Sequence, residues 1–136
     1  MSATETCESR IDSHLGDLRD LIGVYMTDED VYDEGNDDYP PFHEHGLAFD
    51  YVAPETFNDQ VEGYWRYQLS YGGPSDEVRF YASGPTDPAY KIEYRFMDWF
   101  DGAVRHVAGE EWSEWLWQYF SDAGITQSAY DEARDA

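Results

Sequence analysis

Lysine is nearly missing from this chain. Lys91 is the only one, and all basic residues together number 8 against 30 acidic residues in 136, a formal net charge of −22. A field of that sign repels phosphate backbones and anionic lipid headgroups, so direct binding of DNA, RNA or membrane is disfavoured and basic surfaces are the natural partners. Cysteine is equally scarce. Cys7 is alone, which excludes an intramolecular disulfide and fits a reducing cytoplasm. No apolar run approaches the ~18 residues of a membrane span, and the first residues lack the basic and apolar regions of an export signal. The expectation is a cytoplasmic protein that needs no cofactor.

What is present is an apolar fraction of 41%, with aromatics at 18%, enough for one domain over residues 1–136 to build a core. The clearest periodicity runs from Tyr64 to Val107 and reads as a β-meander. Trp65, Tyr67, Leu69 and Tyr71 alternate with Arg66, Gln68 and Ser70, the period-two pattern of a half-buried strand. Turn chemistry at Gly72-Gly73-Pro74 leads to Val78, Phe80 and Ala82 on one side and Glu77, Arg79 and Tyr81 on the other. A second turn, Ser83 to Pro88, precedes inward Tyr90, Ile92, Tyr94 and Phe96 with outward Lys91, Glu93, Arg95 and Met97. Asp101-Gly102 predicts a two-residue type I′ turn into a last strand. Leu47, Phe49 and Tyr51 predict a first strand that Pro54 ends.

Helices flank the meander. Ile11, Leu15, Leu18 and Ile22 recur as one face of a helix that Ser9 or Asp12 caps and that stops by Thr27. Trp112, Trp115, Leu116 and Tyr119 form the apolar stripe of a second helix over Glu110–Phe120, which leaves Trp117 off the stripe as an exposed anchor. Residues 1–8 are expected to be ragged, and Thr126 to Ala136 to add a helical turn or fray. Thr27 to Gly46 reads as a long acidic loop with a short strand or turn within it. The resulting fold class is α+β: a mainly antiparallel sheet of about five strands, flanked by an N-terminal and a C-terminal helix on one side. A small curled barrel is the alternative.

Charge follows these elements. Residues 1–63 carry net −15, the meander 64–106 net −1, and residues 107–136 net −6. The acids therefore gather on two candidate partner-binding patches. One is Asp28, Glu29, Asp30, Asp33, Glu34, Asp37 and Asp38; the other is Glu110, Glu111 and Glu114. Acids one helical turn apart lie about 5–6 Å from each other, and alternate strand positions about 6.7 Å, spacings that can imitate phosphates. A compact chain of this length is roughly 37 Å across, and duplex DNA carries about 22 charges over that distance.

In size, acidity, lysine scarcity and acid-plus-tyrosine surface, the chain resembles the DNA-mimic anti-defence proteins of phages and plasmids, the anti-restriction and anti-CRISPR inhibitors. Those proteins share no common fold. The resemblance implies a mode of action, occupation of a basic nucleic-acid-binding protein or complex, and assigns no residue a role. An acidic protein-binding module of antitoxin or immunity type is the alternative, followed by a small metal-dependent enzyme and an ordinary halophilic domain.

The sites that an enzyme would need are weak. Asp28, Asp30, Asp33, Glu34 and Asp38 surround Gly35, but an EF-hand started at Asp30 puts Pro41 where the bidentate glutamate belongs. His43 and His45 have strand spacing for a shared metal, without a further carboxylate and histidine in pattern. Asp98, Asp101 and His106 are the best acid–base cluster, yet turn geometry and solubility account for both acids. Arg66, Arg79, Lys91 and Arg95 are expected to pair with Glu77, Glu93 or the acidic loop rather than bind an anion. No catalytic residue and no metal site is assigned.

Overall fold

The computed structural model describes residues 6–44, 46, 48–57, 60–70, 74–98 and 101–135. Helix α1 spans Cys7–Thr27. It starts at Thr6, not at Ser9 or Asp12: the Thr6 side chain accepts from the Ser9 N–H while the Ser9 hydroxyl accepts from the Thr6 N–H, a reciprocal cap that satisfies two orphan donors. Ile11, Leu15, Leu18 and Ile22 are buried as their spacing predicts. Cys7 is buried with them, so the helix is anchored from its first residue and is not ragged there.

Asp28 then does two things. Its N–H closes α1 onto the Val24 carbonyl, and its side chain accepts from the N–H groups of Asp30 and Val31, capping the short helix α2, Glu29–Asp33. The segment expected as an acidic loop is therefore a helical turn, followed by a tight Asn36–Tyr39 turn and a 3₁₀ turn at Phe42–Glu44. Two apolar residues hold it down: Val31 and Phe42 are both buried in the main core. Gly35 is required where it stands, at φ +70°, because a Cβ there would meet Pro41 at 2.6 Å.

Five strands follow: β1 Ala48–Val52, β2 Tyr64–Ser70, β3 Pro74–Ala82, β4 Ala89–Asp98 and β5 Asp101–His106. They pair antiparallel in sequence order, with β1 and β5 as the two edges, so the sheet is an open meander. Leu47, Tyr71 and residues 72–73 of the sequence reading lie outside the described residues. Asp98 pairs with Asp101 and Met97 with Gly102, so Asp101-Gly102 belongs to β5 and is not the turn that the sequence predicts there.

The alternation sorts the faces. Trp65, Tyr67, Val78, Phe80, Ile92, Tyr94 and Phe96 point into the core, whereas Tyr90, expected among them, is 58% exposed at the start of β4. Helices α3, Glu111–Asp122, and α4, Ile125–Asp135, complete a layer with α1 over this inner face. The last segment is a full helix, neither a single turn nor frayed. Trp65 donates its indole N–H to the Thr126 carbonyl, Thr126 donates its hydroxyl to Pro85, and Tyr130 meets Tyr51 edge-on at 5.0 Å. On α3 the stripe is rotated from the prediction. Trp117 is buried, donating to the Asp87 carbonyl, and Trp115 is the half-buried tryptophan.

Candidate partner-binding surface

The outer face of the sheet is neutralised by its own residues. Arg66 pairs with Asp50 at 2.6 Å, Arg79 with Glu77 at 2.6 Å, Arg95 with Glu93 at 2.9 Å and Lys91 with Glu62 at 2.9 Å. Glu77 and Glu93, as expected, supply two of these partners; β1 and the loop before β2 supply the others. Burial would push the Glu93 carboxyl up, but the Arg95 guanidinium and the Tyr81 hydroxyl bonded to it hold it below the usual carboxylate range. The Lys91 ammonium does the same for Glu62. A cleft of about 440 Å³ lies here, between Phe57, Val61, Tyr64 and Arg79, and the buried Tyr64 hydroxyl has no hydrogen-bond partner among the described residues. Its arginines are already engaged by carboxylates, so the cleft offers little net charge to a ligand.

The predicted acid–base cluster does not assemble. Asp98 is bonded to Arg10 at 2.9 Å, and Asp101 accepts from the Cys7 N–H, which lowers its pKa. Both acids tie the start of α1 to the β4–β5 hairpin. His106 sits at the far end of β5, roughly 17 Å along the strand from Asp101, and its Nδ1 is 3.8 Å from Glu93. The His43 side chain and His45 lie outside the described residues. Among the described residues no group of three or more histidine, cysteine, aspartate or glutamate residues has metal-holding geometry.

The helical layer carries the uncompensated charge. Asp28, Glu29, Asp30, Asp33, Glu34, Asp37 and Asp38 are all exposed, with carboxylates that no base among the described residues bridges. The second patch is less free. Glu110 is bridged by Arg19 at 3.0 Å and accepts from the Trp112 indole, and Glu114 accepts from the Gly109 N–H. Glu111 and Glu114 stand one turn before Trp115 and Gln118 on the same side of α3.

The structure sets part of the first patch, and none of the second, beside residues that the sequence pattern did not select. A groove of about 670 Å³ runs between α2 and the second half of α3, with Glu29 and Asp33 on one bank and Asp122 on the other. Its floor is aromatic: Trp115 and Tyr119 stack with centroids 5.9 Å apart at 15°, and Tyr32 meets both edge-on. Burial, with the neighbouring Tyr119 hydroxyl adding to it, raises the pKa of the Tyr32 phenol. The signal available in sequence was the i, i+4 spacing of Glu29 with Asp33 and of Trp115 with Tyr119; their meeting depends on Phe42, which no local pattern places. No helix among the described residues is long and apolar enough to cross a membrane. Comparisons with protein-family models, with curated proteins and with solved structures match nothing to this chain.

Proposed function

We propose that the chain is a non-enzymatic inhibitor that occupies the basic nucleic-acid-binding surface of a defence or DNA-handling complex by imitating DNA. One observation carries the reading: the segregation of charge. Arg66, Arg79, Lys91 and Arg95 are consumed by sheet and loop acids and Arg105 by Glu8 and Asp12 of α1, while the acids of α2 and of the turn after it are exposed with no lysine or arginine bridged to them among the described residues. A folded domain gains nothing in stability from such self-repulsion, whereas a surface that meets a cationic channel gains affinity and encounter rate from it.

The test is a panel of restriction and RNA-guided nucleases assayed for DNA loading with the chain present. Inhibition is expected that weakens steeply with added salt and that excess duplex DNA relieves. Exposed ion pairs contribute only about 0–1 kcal/mol each, so single substitutions do little. Reversing Glu29, Asp33, Glu34 and Asp38 to lysine together is expected to weaken inhibition about 100-fold or more. Asp28 is left out because it caps two helices. If that fourfold variant inhibits as well as the parent while Arg66→Glu abolishes inhibition in a folded protein, the contact face is the outer sheet and the mimicry reading is wrong.

A further inference from the structure

We propose that the groove between α2 and α3 receives an arginine side chain of the partner, its guanidinium laid on the Trp115–Tyr119 ledge and hydrogen-bonded by the carboxylates of Asp33 and Asp122. The inference rests on the partner being basic, as proposed above, and goes further by naming the group that is read and the place that reads it.

Three features converge on a guanidinium. The ledge is two rings nearly parallel, 15° apart with centroids 5.9 Å from each other, and Tyr32 meets them at 81° to Trp115 and 84° to Tyr119. Trp115, Tyr119 and Tyr32 are each half-buried, so their remaining surface faces the groove and water. A flat cation covers such a surface and gains from the ring quadrupoles as it does so.

The second feature is the charge of the banks. Glu29, Asp33 and Asp122 line the groove and, among the described residues, no basic one does. Nor can the chain fill the groove from within. Arg10, Arg19, Arg66, Arg79, Lys91, Arg95 and Arg105 are each bridged to an acid elsewhere, and Arg134 lies over the Tyr130 ring. Lys91 and every arginine are thus committed elsewhere, and among the described residues no lysine or arginine meets the groove carboxylates.

The third feature is selectivity. An ammonium is compact and strongly hydrated, whereas a guanidinium is planar, less hydrated and able to bond two carboxylate oxygens while stacking. Stacking beside carboxylates therefore favours arginine over lysine, a preference that diffuse surface charge alone does not create.

The experiment titrates the full ¹⁵N-labelled chain, at about 0.1 M and about 0.3 M salt, with hexa-arginine and with hexa-lysine, which have equal charge. Trp65, Trp112 and Trp117 donate their indole N–H groups to Thr126, Glu110 and Asp87, whereas Trp115 has no such acceptor among the described residues. Its indole resonance, assigned with Trp115→Leu, reports the groove. Hexa-arginine is expected to shift it and to bind roughly 5–10-fold more tightly than hexa-lysine, and the ratio is expected to persist at the higher salt. Asp33→Asn with Asp122→Asn, both at exposed positions, is expected to lower hexa-arginine affinity about tenfold and to level the two peptides. Equal affinities with an unmoved Trp115 resonance would overturn the proposal, as would an arginine preference that survives the double substitution. Failure of the peptide test beside intact nuclease inhibition sinks this inference alone; arginine selectivity in a chain that inhibits no nuclease sinks the mimicry reading alone.

Discussion

Phe42 stands edge-on against Tyr119, ring centroids 4.6 Å apart at 85°, and this contact fastens the acidic segment to the C-terminal helix pair. Phe42 also meets Tyr25, Tyr32 and Trp115, so one side chain from a 3₁₀ turn organises both banks of the groove. Phe42→Ala removes that buried ring and leaves a cavity among aromatics that cannot all close over it. A loss of about 3–5 kcal/mol is expected by urea denaturation, with a reduced aromatic circular-dichroism signal. An unchanged midpoint would mean that the acidic segment packs independently of Phe42.

The meander was legible because alternation of tyrosine, tryptophan and aliphatic residues with arginine and glutamate leaves one register that buries the apolar set. Helix α1 was legible for the same reason at period 3.6. The acidic segment was not, since its helical turn rests on Asp28 capping and on two buried residues, Val31 and Phe42, eleven apart in sequence. Helix α4 carries too few apolar residues to declare itself, and becomes a helix because Trp65 and Tyr51 await Thr126 and Tyr130. On α3, five aromatics in nine residues leave the stripe ambiguous by one position. Trp117 and Trp115 exchange roles because Phe80 stacks on Trp117 and Trp65 meets it edge-on, contacts that only the sheet position decides. The acids of the candidate surface could be named from composition; the groove could not, because it needs α2 and α3 side by side.

The Thr126 contacts make α4 a structural part of the domain. Truncation after Gly124 strips the Trp65 indole of its acceptor and uncovers Tyr51 and Ala129's neighbours in the core. Such a chain is expected to lose cooperative unfolding at about 0.1 M salt, followed by tryptophan fluorescence against urea. A truncated chain with the parent's sharp transition would show α4 to be an appendage.

Glu93 is the carboxylate whose titration should be visible in stability. Its folded-state pKa is depressed, so its contribution is complete above the unfolded-state value near 4.3 and disappears as pH falls through the lower folded value. Glu93→Gln keeps the shape but removes the charge that Arg95 meets in a nearly buried site, and is expected to cost roughly 1–3 kcal/mol at pH 7. The gap between the two proteins should narrow between about pH 5 and pH 3, because only the parent has this charge to lose. Urea titrations of both at pH 7, 5 and 3 measure it, and parallel curves would show that the Arg95 pair contributes no pH-dependent stability.

The last prediction separates a charged surface built for a partner from one built for brine. In a halophilic domain self-repulsion is a global burden, and stability climbs steeply from low salt to molar potassium chloride as charges are screened. Here the repulsion is confined. The outer sheet face is internally neutralised, the core beneath is lined with packed aromatics, and the free acids lie on exposed helix surfaces where water screens them at all salt concentrations. The Debye length is already ~10 Å at 0.1 M, so further salt has little left to screen beyond neighbouring acids on one helix. The chain is therefore expected to be folded near 0.1 M salt, with a melting temperature that rises only modestly toward 1 M. Thermal melts by circular dichroism across that series decide the matter, and a chain unfolded at 0.1 M would favour the halophilic reading over inhibition.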